Sequence, residues 1–155
     1  MQLGLTIPLQ KFLKTPKLAY GEPTDLSFCW ELHKVLGLGR STLIAVNASN
    51  RYALVFAGMK AASWKRLEEI ITKGITHALT LEGYTPHQIE TYLAAAGKPE
   101  FTKTHGRKPV AGLKRVAELV EVVAVVAAAF DVAGTAGVGV DLLMLFSYPT
   151  YETLQ

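Results

Sequence analysis

A single cysteine, Cys29, is present among 155 residues. One cysteine excludes an intramolecular disulfide and any zinc site built on the cysteines of one chain. Flanked by Leu26, Phe28 and Trp30, it reads as buried filler rather than as a nucleophile. The four histidines, His33, His77, His87 and His105, include no H-x-x-x-H pair, so no helical metal site is expected. There is no Walker motif, no G-x-S-x-G and no catalytic-cysteine signature. Zinc-finger spacing and an RNP-type aromatic motif are also missing. Gly134, Gly137 and Gly139 give G-x-x-G-x-G, which is not the dinucleotide fingerprint. No cofactor is therefore expected. The first residues lack the apolar run and cleavage site of a signal peptide, which sets a cytoplasmic protein as the expectation.

Positive charge is missing from the last quarter of the chain: no Lys or Arg follows Arg115, whereas Glu118, Glu121, Asp131, Asp141 and Glu152 do. The overall balance of +3 is too small to imply wholesale coating of nucleic acid. Residues 122–140 form a 19-residue stretch whose one charge is Asp131. Its length would allow a membrane span. The mid-stretch carboxylate and three glycines favour a buried helix followed by a loop, with Val123 and Val126 inside. A helix so apolar also suits packing against a second copy, so a homodimer is a further expectation.

What is present in quantity is apolar. Half the residues are hydrophobic and 19% are charged, enough for one ordered domain spanning 1–155 with a real core. Gln2 to Ile7 reads as a short strand, followed by a short helix through Lys14 with Leu9, Phe12 and Leu13 inward. Residues 15–24 carry Pro16, Gly21 and Pro23 and read as a loop. Asp25 to Leu36 fits either helix or extended chain. Ser41 to Val46 and Arg51 to Ala57, joined by Asn47-Ala48-Ser49-Asn50, predict an antiparallel hairpin of central strands. From Ala61 to Glu82 the pattern is helical, with Trp64, Leu67, Ile70, Ile71, Gly74, Ile75, Ala78 and Leu79 recurring at that spacing, and Gly74 within them suggests close helix packing. Thr85-Pro86-His87-Gln88 is a capping box that starts another helix. A long helix is predicted from about Pro109 to Phe130, and a strand or short helix from Leu142 to Tyr148. The class expected is α+β: a small antiparallel sheet including the 41–57 hairpin, packed against several helices with a long helix near 109–130.

Chemistry concentrates just before that long helix. Lys98, Lys103, Arg107, Lys108, Lys114 and Arg115 face one acid, Glu100, over 18 residues. Pro109 suits a first helical turn, so the loop delivers Arg107 and Lys108 to a helix N-terminus, where free N–H groups and the dipole favour an anion. Thr104 is a candidate cap or contact, and Gly106 allows close backbone approach. Lys103, Thr104, His105, Arg107 and Lys108 are the candidate ligand-binding residues. The expected function is a binding module for an anionic ligand, nucleic acid or a phosphorylated molecule. The alternatives are a small hydrolytic enzyme using His105 as general base and Arg107 as clamp, or a protein-interaction subunit without ligand.

The order of these features resembles a family of uncharacterised bacterial domains, some of them plasmid-encoded. The resemblance rests on Leu43-Ile44-Ala45-Val46-Asn47, Arg51-Tyr52-Ala53-Leu54-Val55, Gly74-Ile75, and Phe101 to Arg107 with Gly112 downstream. Its most specific piece is Lys-Thr-x-x-Arg-Ser-Val-x-Gly, represented by Lys103, Thr104, Arg107 and Gly112. Lys108 stands in place of the motif serine, Pro109 in place of its valine, and Arg115 where an asparagine usually follows. The resemblance implies the fold and the importance of the loop. It implies no reaction.

Overall fold

Six strands form one mixed sheet, and each covered face of that sheet has its own apolar cluster. The computed structural model describes residues 1–22, 25–37, 40–129 and 142–146, with side chains through residue 120 apart from positions 37 and 40. The strands are β1 (Gln2–Leu5), β2 (Cys29–Gly37), β3 (Arg40–Asn47), β4 (Ala53–Ala57), β5 (Glu100–Lys103) and β6 (Leu142–Phe146), in the spatial order β5-β1-β2-β3-β4-β6. The helices are α1 (Ile7–Leu13), α2 (Ala61–Trp64), α3 (Leu67–Leu81), α4 (Pro86–Ala96) and α5 (Arg107–Ala129).

The predicted hairpin is β3–β4, antiparallel, with Leu43 opposite Phe56 and Val46 opposite Ala53. Its turn is held by Asn47, whose Oδ1 accepts from the N–H groups of Ser49 at 3.0 Å and Asn50 at 3.3 Å. Leu43, Ile44, Ala45 and Val46 are all fully buried, as continuous apolar strands must be when both faces are covered. β2 and β6 extend the antiparallel part. β1 differs: it runs parallel to both β2 and β5.

Alternation assigns the faces. Leu3, Leu5, Trp30, Leu32, Leu43, Ala45, Leu54 and Phe56 join Leu9 of α1 and Leu67, Ile71 and Ile75 of α3 in one cluster. Ile44, Val46, Ala53 and Val55 meet Leu113, Val116 and Val120 of α5 in the other. Gly74 lets α3 press onto the sheet: a Cβ there would fall 2.4 Å from Phe56 Cζ. Thr85 caps α4 reciprocally with Gln88, at 3.2 and 2.9 Å. Glu69 pairs with Lys73 at 2.7 Å and with Arg66 at 3.1 Å on the outer side of α3.

One local expectation changes and two are sharpened. Phe12 is 44% exposed rather than inward, with Trp64 edge-on at 5.2 Å and the Lys34 ammonium 3.7 Å over its ring. Residues 25–36 resolve as a 3-10 turn (Leu26–Phe28) leading into β2. Helix α5 begins at Arg107, two residues before Pro109. No helix among the described residues is long and apolar enough to cross a membrane. The expected burial of Val123 and Val126, and most of the glycine-rich segment after them, lies outside the described residues and side chains.

Candidate functional site

β1 and β5 lie side by side and parallel, with Leu5 level with Lys103, yet their following helices leave to opposite faces. β1 feeds α1 through Thr6, and β5 feeds α5 through residues 104–106. Such a divergence at the carboxyl ends of parallel strands opens a crevice, the usual binding position in open α/β sheets. Gly106 makes the turn, at a φ of 111° that side-chain-bearing residues rarely adopt.

The five predicted residues separate into three groups. His105 points inward. Its ring is only 4% exposed, and its Nδ1 meets Glu31 Oε1, while the Glu31 side chain is completely buried. The same carboxylate oxygen accepts the His105 backbone N–H at 3.0 Å. The other ring nitrogen, Nε2, lies 2.7 Å from Gln2 Oε1. Two glycines make room for this network. A Cβ on Gly4 would sit 2.6 Å from Glu31 Oε2, and one on Gly21 would sit 1.9 Å from Gln2 Oε1. The second carboxylate oxygen, Oε2, is buried without a hydrogen-bond partner among the described residues. His105 is thus the strut that fastens the loop to β1 and β2.

Arg107 and Lys108 project outward from the first turn of α5 and make no ion pair among the described residues. Lys103 is half-buried, with its ammonium 4.4 Å over the Tyr20 ring. Thr104 is half-buried, and its Cα packs 3.0 Å from the place a Gly4 Cβ would take. A cleft of about 560 Å³ runs past the loop, lined by Tyr20, Gly21, Leu26, Thr104, His105 and Arg107 among others. Tyr20 and Leu26 are 74% and 42% exposed there.

Sequence reasoning missed Glu31, Gln2, Gly4 and Gly21. The available signal was Glu31 itself, an acid between Trp30 and Leu32 in a strand that must be buried. Gly112, read as part of the loop motif, stands one residue beyond the motif's glycine, where the chain has Ala111. A Cβ on Gly112 would make only ordinary contacts, 3.6 Å from Arg51 and 3.8 Å from Val46, so packing does not demand glycine there.

Two neighbours on the same face of β2 are chemically quiet. Burial, then the nearby Glu31 charge, pushes the Cys29 thiol up to about 11, which suppresses the reactive thiolate. Burial also holds His33 below its ordinary value, and its Nδ1 lies 2.8 Å from the Thr6 hydroxyl.

The fold and the loop define an α+β domain with a basic, internally braced strand-to-helix connection. The family described as a domain of unknown function (DUF6933) matches residues 2–133, from the first strand through the long helix, and the chain belongs to that family. No curated protein and no solved structure matches the chain.

Proposed function

We propose that the domain is a binding module for an anionic ligand, nucleic acid or a phosphorylated molecule, taken at the loop of residues 103–108. The observation that carries this reading is the exposure of Arg107 and Lys108, unpaired among the described residues, on a loop that the buried Glu31–His105 contact holds in place. Guanidinium and ammonium groups held beside a helix N-terminus meet an anion with little reorganisation. The cleft beside them supplies a concave surface.

The test replaces Arg107 and Lys108 together with Ala and titrates a panel of oligonucleotides and phosphorylated small molecules at two salt concentrations. Wild type should bind at least one of them, more weakly at high salt. The double variant should lose that binding while keeping its unfolding midpoint, because both side chains are exposed. Equal binding by the two proteins removes the loop as the site.

The buried carboxylate–imidazole pair favours a second reading, a small hydrolytic enzyme in which Glu31 orients His105 and Arg107 clamps the substrate. It requires substrate to displace Gln2 from His105 Nε2. Hydrolysis of a phosphoester or ester panel that is abolished by His105→Asn would support it.

A further inference from the structure

A second cleft, of about 780 Å³, opens between the β3–β4 turn, the 3-10 turn before β2 and the connection from α3 to α4. It shares no lining residue with the cleft beside the basic loop. Its volume lies within the range of small-molecule sites. Four aromatic rings, Trp30, Tyr52, Tyr84 and Tyr92, form much of its wall.

The polar tips of three of these rings are committed to the protein. Trp30 Nε1 donates to the Tyr92 hydroxyl at 3.2 Å, and that hydroxyl donates to the Ser27 carbonyl at 2.6 Å. The Tyr52 hydroxyl donates to Glu82 Oε1 at 3.1 Å. Burial, followed by the Glu82 hydrogen bond, pushes Tyr52 up to about 12, so this hydroxyl remains a donor at neutral pH and fixes one carboxylate oxygen. Tyr84 is different: it stands 51% exposed at the rim.

The charge of the cleft has one clear sign. Among the described residues neither Lys nor Arg lines it, and Glu82 is its one carboxylate, with His87 the other titratable side chain besides the tyrosines. Glu82 makes no ion pair among the described residues. Aromatic faces attract cations through their quadrupole, and a carboxylate with an oxygen to spare accepts a charge-assisted hydrogen bond.

We propose that this cleft binds a small organic ammonium, with the apolar body against the rings of Trp30, Tyr84 and Tyr92 and the ammonium on Glu82. The site is independent of the basic loop and opposite to it in charge preference.

Calorimetric titration of the full chain at pH 8 with phenethylammonium, 2-phenylethanol and phenylacetate tests the assignment. Phenethylammonium should bind saturably and roughly tenfold more tightly than the neutral or the anionic probe, in line with a charge-assisted contact. Glu82→Gln keeps an acceptor for Tyr52 and should erase the preference, so that phenethylammonium and 2-phenylethanol bind alike. Tyr84→Ala, at an exposed position, should weaken phenethylammonium by a few-fold, the scale of one aromatic–aromatic contact. The Arg107→Ala/Lys108→Ala protein should bind phenethylammonium as wild type does. Equal affinity for the three probes, no saturable binding of phenethylammonium, or a preference that survives Glu82→Gln would each overturn the proposal.

Discussion

Replacing His105 with Ala tests the bracing of the loop directly. The substitution strips the imidazole from Glu31, which is completely buried and already has one oxygen without a hydrogen-bond partner among the described residues. The other oxygen then keeps only the backbone N–H of residue 105. Depriving a buried hydrogen-bonding group of its main partner costs about 1–3 kcal/mol, and more for a charged group, because the group stays desolvated. Domains of ordinary stability hold about 5–15 kcal/mol in total, so the loss is a large fraction. For a chain of this size about 1–3 kcal/mol lowers Tm by roughly 2–12 °C. Urea unfolding followed by circular dichroism should show a lower midpoint at unchanged m. The double variant Glu31→Leu/His105→Phe removes the buried acid as well; like His105→Ala it leaves Gln2 Oε1 without the imidazole, and in place of an unpartnered acid it leaves the N–H of residue 105 without its acceptor, about 1–3 kcal/mol. It should therefore be less destabilised than His105→Ala alone. A loss under about 1 kcal/mol in His105→Ala would refute the bracing argument, since a buried acid deprived of its main partner cannot be so inexpensive.

Gly74→Ala should lower the urea midpoint although alanine is the better helix former: the new methyl meets Phe56 Cζ at 2.4 Å, and overpacking costs about 1–3 kcal/mol against a propensity gain of up to ~1 kcal/mol. His33 is held below its unfolded value of 6.5 by burial. Its contribution is therefore complete above pH 6.5 and lost as pH falls through the lower folded value, and His33→Gln should flatten stability against pH over that window. Cys29, 1% exposed and raised to about 11, should resist a thiol reagent at pH 8 in the native protein and react promptly in denaturant. Fast native labelling would contradict that burial.

The elements legible in the sequence were those whose signals are local. The Asn47–Asn50 turn, the Thr85–Gln88 box and the 3.6-residue period of α3 all survive in the structure because neighbours a few residues apart determine them. β2 was ambiguous because Glu31 and His33 interrupt its apolar pattern. They are inward-facing polar residues whose partners are Thr6 and His105, which no local window contains. The parallel pairing of β1 was illegible for the same reason: four residues cannot announce neighbours 27 and 98 positions away. At the loop, the basic side chains were read directly from the sequence. That His105 turns away from them follows only from the buried carboxylate 74 residues earlier.

The two-sided parallel pairing of β1 also bears on how the chain reaches its native state. The β2–β3–β4 meander needs only short connections and can close early. β5 must find β1 across almost a hundred residues, Leu3 against Phe101, and that closure carries a larger entropic penalty. The basic loop follows β5 immediately, so it acquires its shape only once that late, long-range contact is made. Species that retain the hairpin without the β1–β5 contact would keep much of the circular dichroism signal and lack the loop geometry altogether. Occupancy of the loop is therefore coupled to completion of the whole sheet, and an anion held there would stabilise the last step of assembly rather than the first.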